Sequence, residues 1–147
     1  VAAVAIRDMV ATDLDHLIDI ERRATNAPRS RDIWQREHLA PAFAVLVAEQ
    51  GSAAVGYLGY SLAGGEASIN HLAVLPESRR QGVARALLTA LFSDLVRHAA
   101  REIFLDVRSG NEGACRLYQR CGFTQVGCRA RYYTDPVEDA LIYRRAV

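Results

Sequence analysis

The stretch Val74-Leu75-Pro76-Glu77-Ser78-Arg79-Arg80-Gln81-Gly82-Val83-Ala84-Arg85 sets three arginines around a glycine, where a strand-like segment gives way to a helical one. A helix start has unpaired backbone N–H groups, and its dipole favours an anion there. Gly82 and Ala84 are small, so backbone can approach a ligand closely. Arg79, Arg80 and Arg85 add charge. The chemistry this suggests is a pyrophosphate cradle made mainly of backbone donors. The stretch is neither a Walker loop, which needs Gly-Lys-Ser/Thr, nor a three-glycine dinucleotide fingerprint. An ordinary capped helix with solvated arginines accounts for it equally well.

Other reactive side chains are few. His71, just before this loop, is a candidate base because imidazole titrates near neutrality; a packing role suits it better. All 18 basic residues are Arg, so lysine nucleophiles and Schiff bases are excluded. Cys115, Cys121 and Cys128 lack metal-ligand spacing, have no His nearby in sequence and suggest no triad. No metal is expected.

The elements that must position these groups follow from periodicity. Residues 3–9 predict a strand. Thr12, with Asp15 three residues on, predicts a weak capping box before a helix carrying Leu14, Leu17, Ile18 and Glu21. Asn26-Ala27-Pro28 breaks that helix. Ser30 caps a second, short one with Ile33, Trp34 and Leu39, ended by Pro41. Strands are predicted at 43–49, 54–63 and 67–74, with turns at Gln50-Gly51-Ser52 and Gly64-Gly65. The strongest helix begins near Gly82, with Ala84, Leu87, Leu88, Leu91, Phe92, Leu95, Val96 and Ala99 in rhythm. A strand at 103–107, a helix at 111–120 stopped by Gly122, and strands at 124–133 and 139–144 complete the chain. The order predicts one α/β domain over residues 1–147, with a mixed sheet.

Composition narrows the class. The 147 residues are 50% hydrophobic and 24% charged, enough for one real core. No apolar run is long enough for a spanning helix, and the first ten residues lack a signal-peptide pattern. Three unpaired cysteines argue against a disulfide framework, so a reduced, cytoplasmic setting is expected. A net charge of +1 does not suit a nucleic-acid binder. Residues 1–75 hold 6 Arg against 9 Asp/Glu, and residues 76–147 hold 12 against 8. A mildly basic second half suits a small polyanion, or reflects an arginine- and alanine-rich composition.

Leu72-Ala73-Val74, then Arg79-Arg80-Gln81-Gly82-Val83-Ala84, then Asn111, Leu117-Tyr118 and Gly122-Phe123 resemble the GNAT superfamily of acetyl-CoA-dependent N-acetyltransferases. Its phosphate loop reads Gln/Arg-x-x-Gly-x-Gly/Ala, which Arg79, Gly82 and Ala84 fit. The resemblance implies a single domain with a mixed, mostly antiparallel sheet, about four flanking helices and a splayed strand pair holding the cofactor. It implies that backbone of Leu72, Ala73 and Val74 binds the pantetheine arm, that residues 80–85 hold the pyrophosphate, and that Asn111 contacts the pantetheine. Over about residues 66–144 the chain is most similar to the RimI-type ribosomal-protein N-terminal alanine acetyltransferases. Leu105-Asp106-Val107-Arg108 and Arg129-Ala130-Arg131-Tyr132-Tyr133, before Glu138-Asp139-Ala140, carry that likeness. Residues 1–65 match only in layout.

What this resemblance implies is a transferase moving acetyl from acetyl-CoA to the N-terminal α-amine of a protein, alanine preferred, with small-subunit ribosomal protein eighteen as the expected acceptor. Neither nucleic acid nor membrane is an expected partner. The RimI-type strand carries a Glu base where this chain has Asp106, one methylene shorter. Tyr118 holds the place of the Tyr that protonates the departing thiolate. A phenol with a pKa of about 10 suits that role. Strand backbone, such as the Val74 N–H, would polarise the carbonyl. Tyr132 and Tyr133 could line a peptide slot, with Trp34 and the 26–31 loop as its far wall. A GNAT enzyme acting on a small amine and a non-catalytic acetyl-CoA-binding module are the alternatives. A nucleotide-binding regulatory domain is disfavoured, since no ribose-binding signature is present.

Overall fold

The computed structural model describes residues 3–147. Strand β1 (Val4–Asp8) leads through a 3-10 turn at Ala11–Asp13 into α1 (Leu14–Ala24), followed by α2 (Arg31–Leu39). Three strands come next: β2 (Phe43–Gln50), β3 (Ala53–Ala63) and β4 (Glu66–Val74). Helix α3 (Val83–Arg97), β5 (Glu102–Arg108), α4 (Glu112–Arg120), β6 (Thr124–Tyr133) and β7 (Glu138–Ala146) complete the order. The strands form one seven-stranded sheet in the order β1-β2-β3-β4-β5-β7-β6. Every pairing is antiparallel except β4 with β5. This is the mixed, mostly antiparallel sheet with four helices that the sequence predicts.

Strand alternation divides the helices between the two faces. Leu46, Ala48 and Leu58 pack under α3 with Leu87, Leu88, Leu91 and Leu95, and with Tyr118 and Phe123 from and after α4. Their neighbours Val47 and Tyr57 pack instead with Leu17, Ile18, Ile20 and Trp34 of α1 and α2. Trp34 is therefore a core residue, 2% exposed, and not a slot wall.

Local details differ from the sequence expectation. Thr12 does not cap α1. Asp13 takes over that turn, accepting from the Val10 N–H at 2.8 Å while Arg7 grips both its oxygens at 2.7 Å. A charge-assisted bidentate pair outcompetes a hydroxyl cap. Helix α3 stops at Arg97, so Ala99, with φ 54°, sits beyond it in a left-handed turn, and Val96, in the helix's last turn, lies 67% exposed. Ser30 caps α2 as expected, accepting from Ile33 N at 3.3 Å.

A buried polar cluster ties α1, the loop after it and α2 to the sheet. Glu21, 4% exposed, accepts from Trp34 Nε1 at 3.0 Å, Arg29 N at 2.8 Å, Arg29 Nε at 2.9 Å and the Tyr57 hydroxyl at 3.2 Å. The Arg29 guanidinium also meets Glu37 and covers the Trp34 ring at 4.1 Å. Burial alone would raise the Glu21 pKa; the bonds from Arg29 and Trp34 outweigh it and hold the carboxyl below its ordinary 4.5. A depressed carboxylate stabilises the fold above its unfolded pKa, and that stability is lost as pH falls through the folded one. Glu21→Ala is expected to cost about 3 kcal/mol by stranding a buried guanidinium. Thermal melts followed from neutral pH down through 4.5 should show the two proteins converging on the acid side.

Candidate active site

Strands β4 and β5 run parallel only from Glu66↔Glu102 to Ile69↔Leu105. Beyond that point β4 continues to Val74 beside β3, and β5 continues to Arg108 beside β7. The two strands part, leaving the β5-facing backbone of Leu72, Ala73 and Val74 without a strand partner on that side. A bulge in the β3–β4 ladder, where Gly59 pairs with His71 and Tyr60 with Ile69, passes over Asn70. The expected splay is thus present at the expected residues.

On the α3 side, below the parting strands, lies a cleft of about 640 Å³. Val74, Arg79, Arg80, Gly82, Val83, Ala84 and Arg85 line one wall, with Ser78; Gly113, Arg116, Leu117 and Arg120 of α4 line the other. Gly82 has φ 80° and caps α3, and a Cβ built there would meet no atom within 4 Å. The glycine is needed for its left-handed backbone, and its open side faces outward. Arg79 Nε leans back to the Val74 carbonyl at 3.3 Å. Gln81 does not line the cleft; it donates to the Glu77 carbonyl at 3.3 Å and accepts from Gln50 at 3.0 Å. Asn111 also lies outside the lining. Its side-chain oxygen caps α4 by accepting from Ala114 N at 3.2 Å. Among the described residues no carboxylate lines the cleft, so its charge suits a polyanion.

Asp106 lies on the opposite side. Ile69 and Leu105, the last parallel pair, both point into the core under α3. Alternation turns Asp106 to the α1–α2 face, where it is exposed and has no ion pair among the described residues. Arg108, two residues on, is occupied elsewhere. It meets Glu138 at 3.1 Å and the carbonyls of Thr134 and Pro136 at 3.1 Å, and stacks over Tyr133 at 4.5 Å. Tyr132 is 52% exposed and meets Tyr133 edge-on at 5.1 Å. A second hollow of about 370 Å³ opens between residues 22–27, at the end of α1 and just beyond it, and the β6–β7 turn. Arg79 lines both hollows, so the two meet at the turn before α3. The slot expected between the 26–31 loop and Tyr132-Tyr133 is shifted: residues 22–27 face Asp135, Pro136 and Glu138, segments brought together by the sheet order.

Tyr118 is 7% exposed, edge-on to Phe123 at 5.6 Å and tilted against Tyr143 at 6.4 Å. Burial, with nearby Cys115, Cys121 and Tyr133, pushes its pKa well up, so the hydroxyl keeps its proton at any working pH. Among the described residues that hydroxyl meets no hydrogen-bond partner. His71 sits 4.0 Å from Glu37, with its pKa lowered to about 4 by burial and by Arg29, against a raising effect from Glu21. It is therefore a neutral and weakly basic imidazole at neutral pH.

The model of the acetyltransferase (GNAT) family matches residues 11–123. The chain belongs to the GNAT family. A Bacillus subtilis relative is 34% identical over 139 residues, spanning 94% of this chain and 92% of that one. The [ribosomal protein bS18]-alanine N-acetyltransferase of Haemophilus ducreyi is 32% identical over 131 residues, 89% and 90% of the two chains. Among solved structures, the ribosomal-protein-S18-alanine N-acetyltransferase of Escherichia coli superposes with a TM-score of 0.93 at 29% identity, over 99% of this chain and 94% of that one. GNAT enzymes use acetyl-CoA, and this GNAT chain is an acetyltransferase. No helix of it is long and apolar enough to cross a membrane.

Proposed function

We propose that this chain acetylates the N-terminal α-amine of a protein, alanine first, with ribosomal protein bS18 as acceptor and the cytoplasm as setting. One observation supports it most. Asp106 stands exposed, with no ion pair among the described residues, just past the last parallel pair and on the face away from the arginine-lined cleft. Donor and acceptor can therefore meet from opposite sides of one sheet. The relatives named above point to the same acceptor.

Bound in the cleft, acetyl-CoA supplies an activated acyl group. Asp106 takes a proton from the attacking amine, directly or across one water. An α-amine, with a pKa of about 7.7–8.0, needs only that modest help. Backbone N–H groups of β4 in the splay, that of Val74 among them, polarise the carbonyl. As nitrogen bonds to the carbonyl carbon and the C–S bond breaks, Tyr118 gives its proton to the departing sulfur. Leu72, Ala73 and Val74 hold the pantetheine arm, with Asn111 contacting it through its amide nitrogen. The pyrophosphate rests on the α3 start with Arg79, Arg80, Val83, Ala84 and Arg85, and Gln81 holds the loop closed.

A mass-spectrometric screen tests the acceptor. Peptides with free N-termini should be acetylated, alanine-first peptides fastest, and N-blocked lysine peptides left unchanged. Efficient turnover of a small-amine panel with none on the peptides would overturn the reading. Tyr118→Phe should lower kcat by ~10²–10⁴-fold and leave acetyl-CoA affinity intact, because it removes a proton donor only. An unchanged single-turnover rate would return Tyr118 to the core alone.

A further inference from the structure

The far wall of the cleft carries more positive charge than a pyrophosphate requires. Gly113, Arg116 and Arg120 lie on one stripe of α4, spaced so that each stands about a turn from the next. In the proposed reading the α3 start with its own arginines serves the two phosphates, and among the described residues no carboxylate lines the cleft to neutralise the α4 pair. Arg120 has no ion pair or hydrogen bond among the described residues. Among the described residues Arg116 meets only Glu112, at 3.8 Å with both side chains mostly exposed, a contact that contributes little. Gly113 has nothing within 4 Å of a Cβ position, so a ligand can run along the helix without a clash. Two guanidiniums a turn apart form a fork for an anion with several acceptor oxygens. Coenzyme A carries one such group besides its pyrophosphate, a phosphomonoester of charge about −1.5 to −2.

We propose that Arg116 and Arg120 hold the 3′-phosphate of coenzyme A, so that this chain distinguishes coenzyme A from its dephosphorylated form. The inference rests on the coenzyme occupying this cleft. Titration calorimetry of the intact chain with coenzyme A and with dephospho-coenzyme A tests both separately. The wild type should bind coenzyme A about 10- to 100-fold more tightly, a gap that shrinks with added salt. In Arg116→Ala/Arg120→Ala that gap should close, through loss of coenzyme A affinity with dephospho-coenzyme A unchanged. The single Arg120→Gln variant should close part of the gap and serves if circular dichroism shows the double variant unfolded. Equal loss for both ligands would mean that the pair serves the pyrophosphate, and no preference in the wild type would equally overturn the proposal. Failure of the wild type to bind either ligand would remove the coenzyme reading itself.

Discussion

A Gly82→Glu variant is expected to stay folded by circular dichroism and to lose measurable acetyl-CoA binding in titration calorimetry, a drop of at least ~100-fold. Two effects combine. At φ 80° the position is left-handed, a region that costs an L-residue about 1–2 kcal/mol. Relaxing that strain rotates the α3 start, whose N–H groups are the cradle. The new carboxylate also stands at the mouth of a cleft lined by arginines and no acid, where a phosphate is to lie. Nothing within 4 Å of a Cβ at Gly82 offers it a packing partner inside the protein. Gly82→Ala separates the two contributions, since it keeps the strain and omits the charge. Wild-type affinity in folded Gly82→Glu would take the pyrophosphate away from this turn.

The arginine-lined turn before α3 was legible as a candidate anion site because its signal is local: a glycine and arginines at a strand-to-helix junction. The reason for the glycine was not, since its positive φ is set by the turn. The splay was legible only through family resemblance, because where β4 leaves β5 depends on a parallel crossover through α3. Glu21 shows what sequence hides. Its one sign was a charge placed on the apolar stripe with Leu14, Leu17 and Ile18. Its partners Arg29, Trp34 and Tyr57 lie 8, 13 and 36 residues away. Likewise Arg116 and Arg120 read as ordinary solvated charges until α4 is set beside the α3 start. Thr12 and Ala99 went astray for the same reason in reverse: local rules predicted a cap and a helical position that Arg7 and the end of α3 overrule.

Asp106→Ala should lower kcat/KM for an alanine-first peptide by ~10²–10⁴-fold near neutral pH and leave acetyl-CoA affinity unchanged. The loss should shrink as pH rises, because the α-amine then deprotonates without help. A lysine amine, at about 10.4, stays protonated over that range and should remain a poor acceptor for both proteins. The geometry explains why one short carboxylate can serve. Arg108, the neighbour that would have neutralised it, is held by Glu138 and by the carbonyls of Thr134 and Pro136. Asp106 is thus left exposed on the face opposite the cleft, where the proposed acceptor would approach. Asp106→Glu restores the longer arm of the resembling enzymes and should keep substantial activity. The competing base is His71. Its imidazole, with a pKa near 4, would impose a limb near that pH, and His71→Gln would erase it. An Asp106→Ala variant with an unaltered pH–rate profile would transfer the base to His71 if that limb is found, and to solvent if it is not.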